Sequence, residues 1–157
     1  MSTLADITLA DLERAQRLAA RVGDEIDPQV RCATPNGDYW IAITLPGEVE
    51  LRATVLSLLS DWMAVNQVYA FTMAAEIAMP TAMVCTGVSF SETVCAISQI
   101  LNRSPFEFGP PAWLTRDEIG DEVPALLPRG TRSLDDDRIA AVQRVFGPGG
   151  VFEAVRV

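Results

Sequence analysis

Apolar side chains recur at helical spacing in three stretches of the chain and alternate with small or polar ones in the others, which separates helices from strands. Between Thr8 and Val22, residues Leu9, Leu12, Ala15, Ala19 and Val22 share one face, Thr8-x-x-Asp11 is a variant capping box and Gly23 is a natural stop. An amphipathic helix is predicted there. Asp24 to Asp38 reads as a loop whose Pro35-Asn36-Gly37-Asp38 turn leads into a strand from Tyr39 to Leu45. Glu48 to Val55 alternates polar and apolar like a hairpin arm, yet Leu51, Val55, Leu58, Leu59, Trp62 and Val65 form a helical stripe. Leucine-rich composition, with Glu48 and Glu50 at the positive end of the helix, favours a helix from about Val49 to Asn66.

Tyr69 to Met79 alternates as a strand, with Tyr69, Phe71, Met73, Ala75, Ile77 and Met79 on a bulky face and Ala70, Thr72, Ala74, Glu76 and Ala78 on a small one. Ala82 to Phe90 is a further strand. Thr93 to Leu101 is a strand turned at Ser91-Glu92 or a helix, and its β-branched residues favour the strand. Five of the ten prolines lie between Pro105 and Pro128, so residues from about 102 to 132 read as an irregular excursion, with one helical turn after Thr115-x-x-Glu118. Ser133 to Asp136 caps a last helix through Phe146, and Val151 to Val157 is a terminal strand. The sum is a single α+β domain over 1–157: an antiparallel sheet of four to five strands with two to three helices packed mainly on one face.

Composition narrows the chemistry. All 12 bases among the 157 residues are arginine; there is no lysine and no histidine. Schiff bases, phosphate-loop lysines, histidine bases and histidine metal sites are therefore excluded. A net charge of -9 argues against nucleic acid. The apolar run from Val68 to Thr86 is interrupted by Glu76, Pro80 and several threonines and has no basic flank, which argues against a membrane span. The start of the chain lacks the pattern of a signal peptide, so a cytoplasmic location is expected. Cys32, Cys85 and Cys95 show no Cys-x-x-Cys spacing and read as reduced, buried thiols; strand alternation puts Cys85 and Cys95 on opposite faces. The acidic groups around Asp117 to Glu122 and Asp135 to Asp137 read as caps and solvated surface, so no metal and no cofactor is expected.

Charge placement adds one lead. From Ala53 to Asn102 there is no arginine, and the only charges are Asp61, Glu76 and Glu92. Glu76 stands alone in an apolar strand, where a buried carboxyl could act as a general acid or base or anchor a ligand; otherwise it meets solvent or an arginine from a flank. The small sheet face fits either a second subunit or a helix of the same chain. These features favour a small acidic protein that works by binding, as a homodimer through the small face and with a protein partner as a further use. The alternative is a carboxylate-based enzyme or small-ligand receptor centred on Glu76. Thr72, Glu76 and Trp113 are the candidate contact residues, the last because it stands in the proline-rich excursion.

Overall fold

The computed structural model describes residues 2–130 and 132–157. Helix α1 (Leu4–Val22) starts one turn earlier than its periodicity suggests. The Asp6 amide donates to the Thr3 hydroxyl at 3.1 Å and the Thr3 amide donates to the Asp6 carboxylate at 3.0 Å, so the capping box is Thr3-x-x-Asp6. Thr8 and Asp11 are instead buried on the inner face of the helix. At the other end Gly23 takes the left-handed conformation, φ 78°, and its amide donates to the Ala19 carbonyl.

Strand β1 (Gln29–Thr34) occupies part of the span read as a loop, and it turns through Pro35-Asn36 into β2 (Gly37–Ala42). Gly37, at φ 118°, supplies the backbone conformation that this tight turn requires. The one charged side chain of β1, Arg31, finds its partners Asp11 and Asp38 only in the folded protein. β1 is antiparallel to β2 and to β3 (Ala70–Ile77), so β2 and β3 run parallel and α2 (Val49–Val65) connects them, a β-α-β unit with a strand inserted. The helical stripe of α2 therefore prevails over its alternating start: a parallel connection needs a crossover, which a hairpin arm cannot provide.

β4 (Ala82–Ser89) and β5 (Thr93–Arg103) continue the antiparallel sheet, which confirms the strand reading of 93–101. Three short strands, β6 (Phe106–Phe108), β7 (Ala112–Trp113) and β8 (Val155–Arg156), complete the order β6-β5-β4-β3-β1-β2-β8, with β7 beside β5. The described residues thus form eight strands and four α-helices, more than the four to five and two to three expected. The surplus strands are β1 and the short β6 and β7, which exist only by pairing with β5 and which no local pattern announces, while the expected terminal strand shrinks to the two residues of β8 beside β2. The proline-rich stretch holds β6, β7, the single turn α3 (Arg116–Ile119) and a 3-10 turn at Pro124–Leu126. Helix α4 (Asp136–Phe146) is capped by Asp135, whose side chain accepts from the Arg138 amide.

Helices cover both faces of the sheet, not mainly one. α1 lies on the small face, where Leu12, Ala15 and Ala19 pack on Ala74, Cys85 and Ala96. The approach is close: a Cβ on Gly87 would stand 2.1 Å from the Thr8 hydroxyl oxygen. On the bulky face Val30, Ile41, Phe71 and Met73 pack on Leu59, Trp62 and Met63 of α2 and on Val142 and Phe146 of α4. No helix among the described residues is long and apolar enough to cross a membrane.

Candidate functional site

α2 spans only part of the bulky face. Beyond its reach the sheet floor, formed by Met73, Ala75, Ile77, Val84 and Thr86, borders a cleft of about 500 Å³. Leu45 and Leu56 wall it on one side, and Val123 and Leu126 from the proline-rich stretch wall it on another. Register explains the opening. β1 begins at Gln29, opposite Ala74, so Ala75, Glu76 and Ile77 are paired on the β4 side only, and the segment from Glu25 to Pro28 faces them across the gap. The size is that of a small-molecule site, and an apolar floor with a few polar groups at the rim is the usual composition of one.

Glu76 borders this cleft, but strand alternation turns its carboxyl to the α1 face with Ala74 and Met83, away from the floor of Ala75 and Ile77. Its side chain is only 5% exposed, and Arg103, at the far end of β5, reaches it with Nη2 to Oε2 at 3.0 Å and Nη1 to Oε1 at 3.5 Å. The strand carboxyl that seemed alone is therefore held by a forked guanidinium from the flank. Arg103, raised above the ordinary arginine range by its hydrogen bond to and attraction for Glu76, remains a cation throughout the working range of pH. Both Glu76 oxygens are thus engaged, and an acid or base role would have to compete with the ion pair. Across the cleft, Arg52 of α2 meets Glu122 at 2.7 Å, both largely solvated. A second, more open hollow of about 640 Å³ lies beyond this pair, lined by Ser60, Asp61 and Arg132 among others.

The other two sequence candidates lie elsewhere. Thr72 is buried beneath α1, where its hydroxyl donates to Asp11 Oδ2 at 2.8 Å. Asp11 also holds Arg31 Nη1 at 3.2 Å, and Arg31 reaches Asp38 at 2.9 Å. Burial pulls the Arg31 guanidinium down, but hydrogen bonds to and attraction from Asp38 and Asp11 outweigh it and leave it raised. Trp113, 47% exposed on β7, sits at the sheet margin opposite Ala96 and does not line the cleft. The three residues are not brought together. The small face itself is filled by α1, so a homodimer through it would require α1 to leave.

One group escaped the sequence reading as a centre in its own right. Asp61, buried in α2, accepts from Arg132 at 2.7 Å and from Arg138 Nε, while Arg132 also donates to Ser60 and Arg138 to Ser57. The Ser60 hydroxyl donates to the Leu126 carbonyl at 2.8 Å. This clamp ties α4 and the 3-10 turn to α2 and so holds the cleft wall. Its signal was the rarity of charge in the middle of the chain, which marks Asp61 as much as Glu76.

The three cysteines are free and buried. Burial raises all three thiols, Cys85 further through the charge of Asp11, and Cys95 against a lowering hydrogen bond from Thr86. None is a nucleophile at neutral pH. Cys85 faces α1 beside Ala96 and Cys95 lies on the opposite face beside Thr86, as the alternation requires. Among the described residues, no group of three or more His, Cys, Asp or Glu is placed to hold a metal ion. Compared with known proteins, the chain matches no family model, no curated protein and no solved structure.

Proposed function

We propose that the protein binds a small molecule in the cleft between β3, β4 and the first half of α2. The observation that carries this reading is the partly uncovered apolar floor of a cavity of about 500 Å³, with the Arg52–Glu122 pair at its rim. Such a floor would ordinarily be covered, because exposed apolar surface is costly in a protein that stays dispersed. The binding reading is favoured over an enzyme because the lining offers no unengaged nucleophile and its best acid-base candidate is held by Arg103. It is favoured over the small-face homodimer because α1 already occupies that surface.

The test is a fragment screen by methyl NMR. Ligands that bind should shift the methyl resonances of Ile77, Val84 and Leu56, and Ala75→Trp, which fills the floor, should abolish the shifts while the fold persists. Hits that perturb only surfaces away from the cleft, or that survive Ala75→Trp, would overturn the proposal.

A further inference from the structure

We infer that the ligand is a small organic cation with an apolar body, such as an arylalkylamine; this rests on the cleft being the binding site. The charges around the cleft are unequal in number and in commitment. Its lining carries Glu25, Asp27 and Glu122 against Arg52 alone, the Glu76 carboxyl being turned to the α1 face. Glu122 is held by Arg52, and Arg103, committed to Glu76 on the other sheet face, attracts Glu25 without contacting it, so Glu25 and Asp27 have no ion pair among the described residues. Both belong to the segment that faces the free edge of β3, and the Thr44 hydroxyl donates to Asp27 Oδ2 at 3.3 Å.

The one guanidinium in the cleft is therefore spoken for, and the two groups without an ion pair are carboxylates. An anionic ligand would have to break an existing ion pair and face these carboxylates in a chain of net charge -9. A cation meets both without displacing anything, while its apolar body covers Ala75, Ile77 and Val84. Attraction of this kind adds to the burial of the body and discriminates against the wrong charge. A cavity of about 500 Å³ suits a compact molecule better than a folded partner.

The experiment titrates three probes of one shape by calorimetry and methyl NMR at low salt: 1-naphthylmethylamine, neutral 1-naphthalenemethanol and anionic 1-naphthoate. The amine should bind about tenfold more tightly than the alcohol, and the naphthoate more weakly than either. Half-molar sodium chloride and the double variant Glu25→Gln, Asp27→Asn should each erase the preference without removing the binding of the alcohol. Equal binding of all three, abolished by Ala75→Trp, overturns the cation and leaves the cleft standing. Tighter binding of naphthoate overturns the cation in favour of an anion. Preference for an arginine-rich peptide over the amine overturns the small-molecule class, and no binding by any probe overturns both the cation and the cleft.

Discussion

The two faces of the sheet solve the same problem differently. On the α1 side, alanine, cysteine and a glycine leave little relief, so a helix with small residues of its own descends until Thr8 stands over Gly87, and only a hollow of about 60 Å³ remains beside Asp11 and Thr72. On the α2 side, large residues hold the helices away, and the cover is assembled from α2, α4 and the 3-10 turn, pinned by Asp61 and its two arginines. A cover made of several pieces need not reach everywhere, and the cleft is what it leaves. Close packing serves stability on one side; incomplete packing makes room for binding on the other.

If that contrast is right, adding atoms should be costly on one face and cheap on the other. Gly87→Val should lose about 3 kcal/mol or more in urea unfolding, because its Cβ alone would collide with the Thr8 hydroxyl. Gly87→Ala should recover part of its smaller loss in a Thr8→Ala background, and an absence of that coupling would break the argument for close approach.

Alkaline titration separates the faces by their thiols. Each buried thiol has its folded pKa raised above the unfolded value, so its contribution is complete below the ordinary thiol range and lost as pH rises above it. Stability should fall by about 1.4 kcal/mol per pH unit for each thiol that stays protonated in the folded state. Cys85→Ala on the α1 side and Cys32→Ala on the α2 side should each flatten the slope, whereas Cys95, beside the less completely covered half, should be the first alkylated by iodoacetamide.

Asp61→Asn should cost about 1–2 kcal/mol, a modest sum because Arg132 and Arg138 are each about a third exposed and can rehydrate. Hydrogen exchange should accelerate first in the 3-10 turn and α4 while α1 stays protected; uniform acceleration would mean that the two covers are not independent. The smallest effect belongs to Ala75→Val, which points into open space and should change stability by less than about 0.5 kcal/mol, as surface substitutions do. A loss comparable to that of Gly87→Val would show that the cleft is closed in solution.

Much of the fold was legible from the chain. The alternation from Tyr69 to Met79 correctly sorted Phe71 and Met73 from Thr72 and Ala74, and the leucine stripe of α2 announced a helix despite its alternating start. What resisted reading was whatever depends on a distant partner. β1 reads as part of a loop, and its place between β2 and β3, with Arg31 held by Asp11 and Asp38, depends on those distant partners. Glu76 looked isolated because Arg103 lies 27 residues further on. Glu25 and Asp27 carried no signal at all, since an acidic loop acquires a role only when a strand edge is placed across from it.

By itself, then, the sequence determined the α+β class, the period of α1, β3, β4 and α4, the opposite facing of Cys85 and Cys95, and the chemistries closed to a chain without lysine or histidine. Those properties are local: they follow from backbone geometry and from the side chains present. Tertiary structure alone decided that α1, and not a second subunit, covers the small face, that Arg103 answers Glu76, and that the other cover stops short of Ala75 and Val84. The reason is physical. A sheet face specifies the size and polarity of its neighbour but not its origin, and a charge specifies the sign of its partner but not its position in the chain.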